Sequence, residues 1–157
     1  MEQVIRPLEA ADALALAELE AEARAATEPM RGGAAHLAET PPVGDWGTLL
    51  GDPHRPVWVA LIDGVPVGYL ELAVVGQTAR VRQVWVHPEA RELGFGDELL
   101  AHALDAARSL GCTVLEGTAL PGDRDTKNLY ERAGITARKI VLSTRLSDPS
   151  TEVHASR

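Results

Sequence analysis

The stretch VRQVWVHPEARELGFGDELL, residues 81–100, constrains the fold of this chain more than any other. Its first part alternates apolar and polar residues in the manner of a half-buried strand, and its last part opens a run with helical apolar spacing. Between the two lies a loop carrying Arg91, Gly94 and Gly96. A strand that passes through such a loop straight into a helix sets the helix N-terminus at the end of a sheet. The N–H groups of that first turn have no intrahelical partners and sit at the positive end of the dipole, which suits a phosphate. Glycines allow an anion close to the main chain, and an arginine adds charge-assisted hydrogen bonds. A dinucleotide-binding fingerprint would require a third glycine three residues beyond Gly96, where Leu99 stands, so that reading fails.

The elements around this segment follow from pattern. Val4 to Pro7 reads as a short strand and Leu8 to Ala26 as an Ala/Leu/Glu-rich helix. Residues 28–56 are punctuated by proline and glycine and predict loop with short helical pieces, either a connector or a lid that shapes a substrate site. Val57 to Ile62, the Asp63-Gly64 turn, Val65 to Val75, the turn at Gly76 to Thr78, and Ala79 to His87 form an antiparallel meander. Leu99, Leu100, Ala103, Leu104, Ala107 and Leu110 then share one helical face, with Gly111 as its C-terminal cap. Cys112 to Gly117 predicts a strand, Arg124 to Ala133 a helix capped by Gly134, and Ile135 to Leu146 a last strand. The expected architecture is one α/β (α+β) domain over residues 1–146. It has a mixed central sheet flanked by helices, in the order meander then β-α-β-α-β, and a polar, flexible tail at 147–157.

Composition narrows the function. A net charge of −8 disfavours a broad nucleic-acid-binding face, while leaving room for a local basic pocket. One cysteine, Cys112, excludes intramolecular disulfides and zinc-finger sites; no metal site is read, and Cys112 is expected to pack as a small apolar residue. No apolar run approaches the ~20 residues that span a bilayer, and the N-terminus carries acids inside its apolar stretch and lacks the basic start of a signal peptide. The expectation is a soluble, cytoplasmic protein with no nucleic-acid or membrane partner.

Read as R-x-x-G-x-G (Arg91, Gly94, Gly96) after a V-x-V-H-P strand end, residues 81–100 resemble the acetyl-CoA-binding motif of the GNAT superfamily of N-acetyltransferases. Downstream, GDRDTKNLYERAGI resembles the family's N-x-x-A-x-x-L-Y-E-x-x-G-F signature, with Leu129, Tyr130, Glu131 and Gly134 in register. The opening Ile5-Arg6-Pro7 fits the family's first strand, so the likeness runs to Leu146. It implies a GNAT-like fold and an acetyl-CoA-dependent N-acetyltransferase. The acetyl group would go to a primary amine, on a small molecule or a protein, by direct attack in a ternary complex. A non-catalytic acyl-CoA-binding or sensing module of the same fold is the alternative, and a homodimer is a further expectation.

The likeness also carries residue roles. Main-chain N–H groups near Val84 and Val86 would meet the thioester carbonyl where the fourth strand splays from the fifth. Arg91, Glu92, Leu93, Gly94, Phe95, Gly96 and Asp97 would hold the diphosphate, and Tyr130 would be the acid for the departing sulfur. Tyr130 is also readable as an amphipathic core residue on a helix. Four positions depart from the family pattern. Asp123 stands where asparagine is frequent, and its carboxylate accepts but cannot donate to a pantetheine carbonyl, a contact that Asn128 nearby would take over. Thr126 replaces a small apolar residue and Ile135 a phenylalanine. Arg80 occupies the position of the frequent glutamate base, so no base carries over; Glu71, Gln83 and His87 are candidate relay members. Arg124 and Lys127 are candidates for the cofactor's 3′-phosphate, and Trp46 and Trp58 for either core or acceptor pocket.

Overall fold

At the Asp63-Gly64 turn both residues take positive φ, 47° and 81°, the conformation that matches the twist of two flanking strands. That turn joins β2 (Val57–Ile62) to β3 (Val65–Val75), and β4 (Thr78–Val86) completes the meander. The computed structural model describes residues 1–146. The remaining elements are β1 (Gln3–Pro7), α1 (Ala13–Thr27), α2 (Gly33–Glu39), α3 (Phe95–Ser109), β5 (Val114–Gly117) and α4 (Arg124–Arg132). Among the described residues the sheet has five strands in the order β1-β2-β3-β4-β5, all antiparallel neighbours except the parallel pair β4–β5. No described helix is long and apolar enough to cross a membrane.

Alternation along β2 supplies both faces of the sheet. Val57, Val59 and Leu61 point toward α1 and pack with Leu16, Leu19, Trp46 and Tyr69. Trp58 and Ala60 point to the other side, where α3 contributes Phe95, Leu99, Leu100 and Ala103. Both tryptophans are therefore core residues and not acceptor-pocket residues; Trp46 meets the Tyr69 ring edge-on at 5.0 Å between centroids. Gly111 follows the end of α3 at φ 79°, the left-handed position that closes a helix and that glycine adopts without strain.

Two features differ from the pattern-based expectation. Ile135 to Leu146 forms no strand: Ile140, Val141, Leu142 and Leu146 are exposed and join no ladder among the described residues. An extended, β-branched segment becomes a strand only by pairing, and here the sheet ends at the four-residue β5. The second is a bulge in β4. Glu71 pairs with Gln83 but Leu72 with Val81, so Arg82 is an extra residue in the ladder. Bulges re-aim side chains, and this one turns Arg82 toward Glu71 on the α1 side. The tail predicted at 147–157 lies outside the described residues.

Candidate active site

Strand β5 accompanies β4 only from Thr78 to Val81, ending at the Val81–Gly117 pair. Beyond Val81, β4 runs on to Val86 with β3 on one side and an open gap on the other. Main-chain hydrogen bonding shows which groups face that gap. His87 donates its N–H to the Val67 carbonyl at 2.7 Å, which fixes the alternation of an antiparallel ladder. Trp85 and Gln83 then turn toward β3, and the N–H groups of Val84 and Val86 turn toward the gap. The Val86 carbonyl on that same side accepts from Arg91 Nε at 2.9 Å.

The gap opens into a cleft of about 1280 Å³ whose walls include Val84, Val86, Tyr130 and the 92–97 turn. A pocket for one small ligand is typically about 300–1,000 Å³, so this volume suits two reactants. The turn at its rim has the expected character with a shifted origin. Gly94, not Gly96, is the helix entry: it sits at φ 83° as the N-cap of α3 and gives the helix no side-chain cap. The first-turn N–H groups of α3 are thus left for a ligand or for water. Gly96 lies within that turn against Leu129, where a Cβ would come to 3.4 Å, so its smallness also serves the approach of α3 to α4.

The other residues expected at the diphosphate divide. Glu92, Leu93 and Asp97 line the cleft, and Asp97 also accepts from Arg132 Nε at 2.9 Å. The Phe95 side chain does not line it; it is buried in the α3 core, which leaves only its main chain to the turn. Arg91 is not a free surface cation. Besides Val86 it reaches Asp125 at 3.3 Å and lies over the Trp85 ring, 5.8 Å from the centroid. It ties the end of β4 to the start of α4. Asp123 is a helix cap: its carboxylate accepts from the Thr126 N–H at 3.1 Å and from the Thr126 hydroxyl at 2.6 Å. Asn128 is exposed on the cleft wall. Lys127 pairs with Glu131 one turn along, while Arg124 lines the cleft.

Tyr130 is a core residue that also reaches the cleft. The residue is 7% exposed and packs in the α3 core, and its side chain also lines the cleft. Burial alone pushes its phenol above the ordinary value of 10.0, so the neutral, proton-bearing form persists through neutral pH. The hydroxyl lies against the end of β5, so close that a Cβ on Gly117 would fall 2.1 Å from it. Gly117 is therefore a site residue that sequence reasoning missed. The available signal was a glycine ending a short strand, which marks close approach of another group.

The opposite wall is made by α1, the 28–56 segment and the α1 face of β3 and β4. Here the 28–56 segment is no mere connector: Met30, His36, Leu37, Thr40 and Pro41 line the cleft. It is held down by Glu20, which is 2% exposed and accepts from the N–H groups of Val43 and Gly44 at 2.9 and 3.0 Å. Gln83 joins the network from β4. Its Nε2 donates to Glu20 at 2.7 Å and to Glu71 at 3.1 Å, and its Oε1 accepts from the Tyr69 hydroxyl at 3.0 Å. Glu71 is fully buried and receives Arg55 as an ion-pair partner. Burial first, then the Glu20 and Glu71 carboxylates, raise the Tyr69 phenol and keep it a donor.

Glu71 and Gln83 are thus brought together, whereas His87 stands apart, with Nδ1 accepting from the Glu89 N–H at 3.2 Å where the turn after β4 begins. Arg80 points away from the cleft and pairs with Glu116, its register partner on β5.

Comparison with known proteins agrees with this geometry. A model of the acetyltransferase (GNAT) family matches residues 15–135. No curated protein matches the sequence. Among solved structures, the aminoglycoside acetyltransferase AAC(6')-Iy in complex with a bisubstrate analogue superposes with a TM-score of 0.68 at 19% identity, covering 94% of this chain and 100% of that one. Ribosomal-protein-alanine N-acetyltransferase from Brucella melitensis biovar Abortus 2308 gives 0.65 at 22% identity over 93% and 100%. Glucosamine-6-phosphate N-acetyltransferase from Arabidopsis thaliana gives 0.63 at 16% identity over 94% and 100%. These likenesses establish the fold, and the family match covers most of its length: the chain belongs to the acetyltransferase (GNAT) family.

Proposed function

We propose that this enzyme transfers the acetyl group of acetyl-CoA to a primary amine by direct attack within a ternary complex. The observation that carries the reading is the parting of β4 from β5 after Val81 and Gly117. It leaves the Val84 and Val86 N–H groups open beside the Tyr130 side chain, next to an uncapped helix N-terminus. These residues fit the cofactor: the 92–97 main chain for its diphosphate, the Val84 and Val86 amides for its acyl end, and Asn128 for the arm between. When bound, acetyl-CoA supplies an activated acyl carbon.

The chain's own groups then divide the work. Val84 and Val86 amides are fixed in a strand, so they meet charge growing on the acyl oxygen without reorganising. Tyr130, kept neutral by burial, holds a proton that it gives to the departing sulfur. The amine must arrive neutral although alkyl amines hold their proton to pH ~10, and the buried Glu20 and Glu71 already accept hydrogen bonds on both oxygens. The amine's proton therefore leaves through water in the cleft.

Thiol release from acetyl-CoA, followed across a panel of primary amines, tests the reading. Amine-dependent release is expected. Stabilisation of the protein by acetyl-CoA with no release for any amine would replace it with the acyl-CoA-binding module.

A further inference from the structure

The charges on the cleft wall are segregated along the sequence. Every acid on it comes from residue 89 or beyond, around the α3 and α4 ends. The wall made by α1, α2 and β4 carries Arg24, Arg82 and His36 and no carboxylate. Burial lowers the His36 pKa from 6.5, Arg24 lowers it further and Glu39 only partly opposes this, so the positive charge at this end comes from the arginines.

Neither guanidinium is fully matched. Arg24 donates only to neutral acceptors, the carbonyls of Thr40 at 2.6 Å and Leu37 at 3.2 Å. Among the described residues it has no carboxylate partner within ion-pair distance. Arg82, turned to this side by the bulge, stands 4.0 Å from Glu71 Oε2, an oxygen already taken by Arg55. Glu71 is fully buried and offers no oxygen to a ligand, while Arg82 is 31% exposed and lines the cleft. The two arginines belong to one end. Arg24 is close enough to Tyr69 to act on its ionisation, and Tyr69 bonds Gln83, the chain neighbour of Arg82.

We propose that the acceptor amine carries an anionic group, a carboxylate or a phosphate, bound by Arg24 and Arg82 at the α1–β4 end of the cleft. The proposal rests on the acetyltransferase reading above. It sets the acceptor across the gap from the 92–97 turn, with its amine toward Val84 and its anion toward α1. A polycationic acceptor finds no counter-charge on this wall.

A matched set of amines tests it: 4-aminobutyrate, 3-aminopropyl phosphate, the neutral 4-aminobutanamide and the cationic 1,4-diaminobutane, each assayed by thiol release. Wild-type kcat/KM is expected to be at least about 10-fold higher for an anionic amine than for the amide, with the diamine lowest; the carboxylate and phosphate arms decide which anion fits. In Arg82→Gln that ratio falls toward 1, and Arg82→Lys recovers part of it. Equal or greater activity with the diamine overturns the proposal, and the wild-type ordering alone decides this even if a variant fails to fold. If no amine releases thiol, the transfer reading has failed, and the anion site is read separately by calorimetry with 4-acetamidobutyrate against 4-acetamidobutanamide. Binding of the carboxylate alone, lost in Arg82→Gln, sustains the anion site, and no binding of either removes it.

Discussion

At one end of the cleft the groups proposed for the diphosphate and the acyl oxygen belong to the main chain: the Val84 and Val86 amides and the uncapped first turn of α3. At the other end they belong to side chains, held by a buried net in which Gln83 bridges Glu20 and Glu71. The first end is set by local geometry, namely a short β5, a left-handed Gly94 and a glycine that lets Tyr130 lie against the strand end. The second depends on residues up to 63 positions apart, as in the Gln83–Glu20 contact. A backbone-built end tolerates side-chain variation and binds a constant cofactor, whereas a side-chain-built end is free to change with the acceptor.

Substitutions can break that division of labour. The largest effect is expected at Tyr130, where the two ends meet. Tyr130→Phe should lower kcat about 100-fold while leaving the KM for acetyl-CoA unchanged, the signature of a lost proton donor. Because burial raises the phenol's pKa, the wild-type rate should show no loss from its ionisation as pH rises to 10. A falling limb below pH 10 that vanishes in Tyr130→Phe would remove the raised pKa from the account.

A smaller effect belongs to the main-chain end alone. Gly94 sits at φ 83° with open space around its missing Cβ, so within the protein Gly94→Val acts through backbone strain of about 1–3 kcal/mol and not through a clash with other residues. The KM for acetyl-CoA should rise about 10-fold with the amine KM unmoved. An equal rise in both would mean that the ends are not separable.

The smallest effect on the reaction is expected in the side-chain net. Gln83→Leu leaves the Tyr69 hydroxyl without its acceptor and both carboxylates short of a donor, a loss of about 2 kcal/mol of stability measured by denaturant unfolding. The amine KM should rise several-fold while the acetyl-CoA KM stays fixed. A change in acetyl-CoA affinity alone would reverse the assignment of the two walls.

The same contrast explains what could be read in the sequence. Gly111, the Asp63-Gly64 turn and the 81–100 switch report local backbone demands, and residues adjacent in the chain record them. Arg24 and Arg82 gave no such signal, and Gly117 gave only that of a glycine ending a short strand. Arg82 is turned to the site by a bulge that alternation alone does not predict, and Gly117 matters only because Tyr130, on a later helix, lies against it. The strand expected at 135–146 failed for the converse reason: its propensity is local, but a strand needs a partner, and the sheet ends at β5. Asp123, in register with a motif asparagine, turned out to spend its carboxylate on capping α4.

The most direct measurement is an experimental structure of the enzyme with coenzyme A. The account predicts the diphosphate on the main-chain N–H groups of residues 92–97 and the sulfur between β4 and β5, within reach of the Tyr130 hydroxyl. A diphosphate held elsewhere, or a sulfur outside that gap with Tyr130 facing only protein, would contradict it.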